Sequence, residues 1–363
     1  AYTYNGLDQL QTATKEKGTA VDEVRQYSYD ANGNQTDVKN TKTGQTESYT
    51  YDAENRLSKV SVTDKDGKTA VIQQNRYNGD GQRIQKVEGS KTTNYYYQDG
   101  VVSYTTDGEN SQTSQNLIGT DGNILATQRY GSDHTDYLLY HKDIQGSTTS
   151  LVKEDGSADA TYQYTDFGET TIQGDDQAKN EVCYTGGIYD QSTGLYYLNA
   201  RYYNPEDGRF MTEDSYRGEI MNPETGHLYV YCANNPVNYV DPSGHFLVST
   251  AVLVGVGVGG IVGAIAGSYK GRLVAKRLGY KGKKRNLFIA TYGIKGAVVG
   301  AIIGVFAGYG IGVAMGASSS SGLAVKGVNS AIRRVASDQN KVRHIMQRLS
   351  LIHISEPTRP LYI

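Results

Sequence analysis

Two stretches of the sequence share one pattern: residues 27–36 read YSYDANGNQT and residues 49–58 read YTYDAENRLS. In each stretch tyrosine alternates with other residues before an Asp/Asn/Gly group interrupts the alternation. Alternation with a period of two predicts a strand, and Asn and Gly tolerate the positive φ angles of tight turns. The starts lie 22 residues apart, a spacing typical of repeat proteins. The two stretches therefore predict β-hairpins that follow one another along the chain.

Weaker copies of this pattern continue downstream: RYNGDGQRIQKV from Arg76, YYYQDGVVSY from Tyr95, LIGTDGNILATQRY from Leu117 and TYQYTDFGETT from Thr161. Hairpins in series predict a long coiled β-sheet in which each hairpin pairs with its neighbours. The turns at 30–34 and 78–81 resemble fragments of calcium loops, but they lack the full ligand series and the closing Glu. We therefore expect Asx-type turns at both places.

The composition supports strands in the first two-thirds of the chain. Tyrosine occurs 31 times, and 26 of these residues precede residue 246, whereas Trp is absent and Phe occurs 5 times. A tyrosine ring packs on one face while its hydroxyl reaches water or a polar partner, which suits a half-buried strand. A helical bundle is excluded there. The two cysteines, Cys183 and Cys232, form no CxxC motif, which excludes a zinc ribbon and a disulfide scaffold and favours two thiols.

The charge divides the chain at the same place. From residue 246 onward there are 16 Lys and Arg against 2 Asp and Glu, whereas residues 1–245 carry 20 against 36. The overall net charge of −2 thus combines a region of −16 with a region of +14. An asymmetry of this size indicates two regions with different functions.

The repeats resemble those of the Rhs/YD-repeat family, which includes bacterial Rhs and wall-associated proteins, the C components of insecticidal toxin complexes and the teneurin shells. The resemblance covers about residues 20–245 and is most specific in 184–245, which includes YTGGIYDQSTGLYYLNARYYNPEDGRF and is similar to the Rhs repeat-associated core. It implies a hollow β shell built from YD repeats, a core that plugs one end, and a variable C-terminal toxin. The expected fold is mainly β: a coiled β-hairpin shell fragment with a core plug, followed by a glycine-zipper helical hairpin.

The resemblance also implies a self-cleaving site. Residues 236–244, PVNYVDPSG, match the PxxxxDPxG pattern after which family members cut themselves, and Arg201 and Asp214 fall on the other site positions. An aspartic protease needs two carboxylates, one to activate water and one to supply a proton, and a guanidinium holds one of them ionised. We therefore expect Asp214 and Asp241 as the catalytic pair and Arg201 as their orienter.

The family rule places the cut between His245 and Phe246, and it most often has Leu where this chain has His245. We expect this histidine to slow the cleavage or to change its pH dependence. The alternative for the whole site is structural: a turn at Asp241, a surface acid at Asp214 and an ion pair at Arg201. The six histidines show no HxxxH or HExxH spacing, so we expect no metal site and no cofactor.

Glycines recur every fourth residue in two long uncharged stretches, 246–268 and 296–325. A spacing of four places them on one helical face, where two helices can approach closely. Both stretches exceed the roughly 20 residues that span a bilayer as a helix. We expect a helical hairpin with a basic connector, and we expect this hairpin to insert into a membrane. The alternative is a pair of helices packed inside the shell. Binding of nucleic acid by the basic connector is disfavoured. The zipper residues are Gly255, Gly259, Gly263, Gly267, Gly271, Gly296, Gly300, Gly304, Gly308, Gly312 and Gly316.

The sequence predicts five regions: repeats (1–183), core (184–245), glycine zipper (246–325), the start of a truncated C-terminal region (326–348), and a tail (349–363) that resembles a translated sequencing adapter. We interpret the chain as a fragment of a bacterial secreted or cell-surface polymorphic toxin, with its own effector and an immunity protein as partners. Its enzymatic activity would be at most the autoproteolysis of the core. The alternative is an adhesion or wall-associated protein without toxin activity.

Overall fold

A computed structural model describes residues 1–18, 20–119, 122–174, 179–218, 226–245, 248–295 and 297, without the side chains of 249, 251–263 and 266. The chain divides into two compact units, one from Ala1 to Thr250 and one that starts at Ala251. The boundary predicted after His245 lies close to this division, and the other predicted boundaries stay predictions.

Within the described residues, the first unit contains one antiparallel sheet of sixteen strands that pair strictly in chain order. This is the predicted series of hairpins, and the mainly β fold is confirmed. The strands are β1 (Tyr2–Tyr4), β2 (Leu10–Lys17), β3 (Ala20–Tyr29), β4 (Gln35–Asn40), β5 (Thr46–Tyr51), β6 (Leu57–Thr63), β7 (Thr69–Tyr77), β8 (Arg83–Glu88), β9 (Lys91–Gln98), β10 (Val101–Thr106), β11 (Gln112–Ile118), β12 (Ile124–Tyr130), β13 (Thr135–Lys142), β14 (Thr148–Val152), β15 (Ala158–Tyr164) and β16 (Thr170–Gly174).

Asx turns close several of these hairpins. The Asp30 carboxylate accepts the backbone N–H groups of Asn32 and Asn34, at 2.9 and 2.8 Å. Asn78 uses its side-chain oxygen in the same way, accepting N–H groups from Asp80 and Gln82. The oxygen atoms that a calcium loop would offer are thus engaged by the backbone of their own turns, and the Asx interpretation is confirmed.

Tyrosine hydroxyls at the ends of several strands donate hydrogen bonds to backbone carbonyls of the preceding strand, which explains why the repeat uses tyrosine. Tyr51, at the end of β5, donates to the carbonyl of Gln35, the first residue of β4, at 2.7 Å. The same contact joins the end of β7 to the start of β6, the end of β9 to the start of β8, and the end of β15 to the start of β14. The pairs are Tyr77 with Leu57, Tyr97 with Arg83 and Tyr164 with Thr148. Each hydroxyl therefore ties one hairpin to the preceding one, while its ring packs on the sheet.

Two smaller sheets follow the large one in the described chain. The first has four strands, β17 (Ile188–Asp190), β18 (Leu195–Leu198), β19 (Arg201–Asn204) and β20 (Arg209–Phe210). The second pairs β21 (Tyr239–Val240) with β22 (Val248–Ser249). Both fall in or next to the stretch that the sequence predicts as the core.

Strand β18 is buried on both faces. Tyr196 and Leu198 belong to one hydrophobic cluster, which includes residues of β12 to β15. Leu195 and Tyr197 belong to a second cluster, which includes residues from β2 to β10. Because consecutive residues of a strand point to opposite faces, the large sheet covers the small sheet from both sides. The four-stranded sheet thus forms the interior around which the hairpins are wound.

The second unit is helical where it is described. Helix α1 spans Thr250–Arg277, and residues 282–295 form another helix. At Gly271 an added Cβ would lie 2.7 Å from Cβ of Tyr292 and 3.1 Å from Cα of Ile289. One predicted zipper residue therefore lies where the helices approach closely. Gly296 and the five zipper glycines that follow it lie outside the described residues.

The described residues contain no helix with the length and apolar character needed to cross a bilayer. The predicted transmembrane hairpin is therefore not supported, and most of its second stretch lies outside the description. The charges of the described helices lie in the predicted basic connector. The end of α1 carries Lys270, Arg272, Lys276 and Arg277, and the next helix starts with Lys283, Lys284 and Arg285.

Candidate active site

The three side chains that the sequence predicts as catalytic lie together. Arg201 is the first residue of β19, Asp214 follows β20, and Asp241 follows β21. The Arg201 Nη2 atom lies 2.7 Å from Oδ2 of Asp214 and 3.8 Å from Oδ2 of Asp241. All three residues are buried, with 6%, 7% and 3% of their surfaces exposed. One guanidinium therefore bridges two buried carboxylates from different segments.

Arg201 is fixed by several contacts besides the two carboxylates. Its guanidinium carbon lies 3.6 Å from the ring centroid of Phe210. Nη1 donates to the carbonyl of Leu228 at 2.9 Å, and Nε donates to the carbonyl of Gly244. Burial lowers the pKa of Arg201 to about 10, although the two carboxylates oppose this effect. Arg201 therefore holds the DPSG segment at its Gly244 carbonyl as well as the two acids.

Asp241 organises the turn before the predicted cut. Its Oδ1 accepts the backbone N–H groups of Ser243, Gly244 and His245 at 3.2, 2.9 and 3.2 Å, as well as the Ser243 hydroxyl. Burial raises the pKa of Asp241, although Arg201 and these hydrogen bonds oppose the shift. Its protonated form is therefore accessible under milder conditions than for an exposed aspartate.

Gly244 is required by the geometry of this turn. Its φ is +75°, in the left-handed region that favours glycine. An added Cβ would lie 2.6 Å from the carbonyl oxygen of Leu198 and 3.1 Å from the backbone nitrogen of Arg201. The glycine of the DPxG pattern therefore lets the turn lie directly against the β18–β19 connection.

Asp214 receives donors on both oxygens. Oδ1 accepts the N–H of Tyr216 at 2.9 Å, and Oδ2 faces Arg201. Oδ1 also lies 2.9 Å from Nδ1 of His245. The sequence marks His245 as an unusual residue before the cut, but this contact could not be read from it, because 31 residues separate the two partners.

The site opens into a cleft of about 530 Å³. Turns of the large sheet line one side, and the segments that carry Arg201, Asp214, Ser243 and His245 line the other. His245 is 39% exposed at the side chain. Water can therefore reach the Asp214 side of the site, which a hydrolytic site requires. Phe246, the residue after the predicted cut, lies outside the described residues.

A second cluster of charged side chains is buried between the large and small sheets, and no motif in the sequence indicated it. Arg83 and Lys86, both on β8, contact Asp190 of β17 at 2.5 and 3.1 Å, and Lys86 also contacts Glu181 at 2.8 Å. Burial would raise the pKa of Asp190, but the two cations outweigh it and lower this pKa to about 2. The cluster lies inside the unit, between the large and small sheets. Its role is to hold the two sheets together.

No disulfide joins the buried Cys183 and Cys232, which confirms the expected pair of thiols. Burial raises the pKa of the Cys232 thiol far above its ordinary value. A thiol in this state is a poor nucleophile, because the thiolate is the reactive form. Cys232 therefore offers no competing catalytic group near the core.

Known proteins resemble this chain in sequence and fold. The teneurin YD-shell family model matches residues 109–237, and the RHS repeat model matches residues 29–69. The tRNA nuclease WapA of Bacillus subtilis strain 168 is 33% identical over 267 residues, which cover 68% of this chain and 11% of WapA. Double-stranded DNA deaminase toxin A of Burkholderia cenocepacia strain H111 is 34% identical over 109 residues, 29% of this chain and 7% of that protein.

Among solved structures, the TcdB2–TccC3–Cdc42 complex matches with a TM-score of 0.44 and 19% identity, over 67% of this chain and 15% of the other. The hairpin array and the sheet inside it define a β-hairpin repeat shell protein. The chain belongs to the Rhs/YD-repeat family. It spans about a tenth of the length of the WapA nucleases that it matches.

Proposed function

We propose that residues 1–245 are the closing part of a YD-repeat shell whose core cuts its own chain between His245 and Phe246. The observation that carries this proposal is the bridge from Arg201 to Asp214 and Asp241, beside the turn that ends at His245. A purely structural turn would not need two further buried charges from distant segments, since each buried charge costs free energy.

The reaction is hydrolysis of one peptide bond. Asp214, ion-paired with Arg201, is the base that takes a proton from water as the water oxygen bonds to the His245 carbonyl carbon. Asp241, whose pKa is raised by burial, enters protonated and gives its proton to the leaving nitrogen of Phe246. The C–N bond then breaks, leaving an amino group on Phe246 and a carboxyl group on His245, which gives its remaining proton to water. Asp214 and Asp241 return to their starting protonation states by exchange with water.

The released segment is the proposed effector side of the protein. It carries 16 Lys and Arg against 2 Asp and Glu, all of them after an uncharged first stretch, whereas residues 1–245 carry a net −16. Attraction between opposite charges therefore favours its retention by the first region after the cut. Two relatives that match 68% and 29% of this chain are a tRNA nuclease and a double-stranded DNA deaminase toxin. Different activities on a shared shell support a bacterial secreted or cell-surface toxin with a variable effector and a matching immunity protein.

Intact-mass analysis of the folded chain tests the proposal. Without added protease, we expect one fragment that ends at His245 and another that starts at Phe246. Asp214→Asn and Asp241→Asn should leave the chain whole, because each removes one of the two proton-transferring groups.

Asp207→Asn is the matched control, because Asp207 is another carboxylate of the first unit and its burial raises its pKa to about 6. Asp207 does not line the cleft, so this variant should cut like the wild type. A folded wild-type chain that stays whole, or that cuts equally well as Asp241→Asn, contradicts the proposal.

A further inference from the structure

His245 is held at both its backbone and its side chain. Its N–H donates to Oδ1 of Asp241 and to Oγ of Ser243, each at 3.2 Å. Its imidazole Nδ1 lies 2.9 Å from Oδ1 of Asp214. The residue before the proposed cut is thus bound directly to both of the proposed catalytic acids.

The contact with Asp214 fixes the role of the ring nitrogen. An ionised carboxylate only accepts hydrogen bonds, so Nδ1 must carry a proton and donate it. Oδ1 of Asp214 already accepts the N–H of Tyr216, and Oδ2 faces Arg201. The histidine is therefore a third donor on the carboxylate that has to accept a proton from water. Hydrogen bonds to the charged form of an acid make it a weaker base.

We infer that His245 is a positioning residue that restrains the cleavage of its own peptide bond by occupying Asp214. This inference rests on the proposed self-cleavage. The neutral ring restrains Asp214 by one hydrogen bond, and it can release the carboxylate when its proton shifts to the other nitrogen. The doubly protonated ring always donates from Nδ1 and adds a positive charge beside the carboxylate, so it restrains Asp214 more strongly.

The restraint consequently depends on pH. Because a second proton on the ring brings both an obligatory Nδ1 donor and a positive charge beside Asp214, we expect the restraint to strengthen toward acidic pH. The other charged groups of the site belong to several segments of the first unit and face the same cleft. They are Glu54, Arg56, Asp80, Arg201, Glu213, Asp214 and Arg217, with Asp241 beneath the turn.

Two substitutions separate the effect of the Nδ1 hydrogen-bond donor of His245 from the effect of the positive charge on its ring. His245→Leu removes the hydrogen bond and the titration together. His245→Asn keeps an amide donor near the position of Nδ1 but does not titrate. Because the side chain of His245 is 39% exposed, neither change creates a buried cavity, and circular dichroism checks the fold.

Rates of self-cleavage are measured by intact mass from pH 5 to pH 8.5 for the three chains. We expect His245→Leu to cut at least about tenfold faster than the wild type at pH 5.5, as the loss of a hydrogen bond to a charged group implies. The advantage should shrink toward the alkaline end of this range. His245→Asn should cut at the same rate as the wild type at high pH and faster than the wild type at low pH. The ratio of the His245→Leu rate to the His245→Asn rate should not change with pH.

Leu and Asn variants that cut no faster than the wild type at low pH, or wild-type and variant profiles that run parallel, overturn the inference while leaving the self-cleavage intact. Absence of cutting in all three chains at every pH overturns the self-cleavage itself, and the restraint falls with it. The two failures are therefore distinguishable.

Discussion

Arg83 of β8 and Asp190 of β17 form an ion pair of 2.5 Å in which neither side chain is exposed to solvent. The Arg83 Nη1 atom also donates to the Tyr202 hydroxyl at 2.7 Å, and its guanidinium lies 4.9 Å from the ring centroids of Tyr95 and Tyr197. The pair thus connects the large sheet to the small one at a site that is closed to water.

Asp190→Asn should lower the free energy of unfolding of the first unit by about 3–5 kcal/mol, because it leaves the Arg83 charge buried without its partner. Urea denaturation followed by circular dichroism measures this change. The control is Asp66→Asn, since the ion pair of Lys65 and Asp66 is about 70% exposed at both side chains and contributes little. Equal stability of the two variants would show that the buried pair does not fasten the sheets.

Asp207 should make the first unit less stable as the pH rises. Burial raises its pKa to about 6 from 3.8, so the folded state binds the proton more tightly than the unfolded state does. Its contribution is therefore fully present below about pH 4 and is lost as the pH rises through 6. Asp207→Asn should remove this part of the slope, measured as the urea midpoint between pH 4 and 7.5. A slope identical to that of the wild type would contradict the assignment.

Gly244→Ala should stop the self-cleavage. The methyl group would lie 2.6 Å from the Leu198 carbonyl oxygen, and φ of +75° is costly for alanine, so the turn could not remain on Arg201. The matched change is Gly6→Ala, because Gly6 has no neighbour within 4 Å of an added Cβ. Intact mass after a fixed incubation compares the two. Normal cutting by Gly244→Ala would mean that the turn does not have to lie in this position.

Arg201→Lys should slow the cleavage by at least about tenfold although it keeps the positive charge. A lysine cannot donate from three separate nitrogens to Asp214, Leu228 and Gly244, and it cannot stack on Phe210 as a planar group. Arg217→Lys is the control, since Arg217 lies in the same cleft but is 68% exposed. Cleavage rates are measured from intact-mass time courses. Equal rates for Arg201→Lys and the wild type would mean that only the positive charge of Arg201 matters, and not its planar set of donors.

Much of the fold follows from local sequence. The Asp30 and Asn78 turns and the alternating strands are specified by residues close together in the chain, so their hairpins could be predicted. The wrapping of the large sheet around β18 could not, because it depends on packing between segments that are distant in the chain, such as Leu10 of β2 and Leu195 of β18.

The candidate site shows the same division. Arg201, Asp214 and Asp241 were identified through motifs that resemble those of a family. The spacing of these residues alone favours a structural turn. The contact of His245 with Asp214 and the Arg83–Asp190 pair depend on distances that no motif encodes. The membrane hairpin was inferred from uncharged length and glycine spacing, and these two patterns do not distinguish a lipid-facing helix from one packed against another helix.

The tyrosine contacts described for β4 to β9 also bear on how such a shell changes in size over evolution. Each hydroxyl reaches the hairpin before it, as Tyr77 reaches Leu57, so a hairpin carries one of its own attachments. Duplication or loss of one hairpin would bring or remove a complete attachment and leave its neighbours chemically unchanged. The number of strands in the large sheet is therefore free to vary by whole hairpins, while the bridge from Arg201 to Asp214 and Asp241 stays the same.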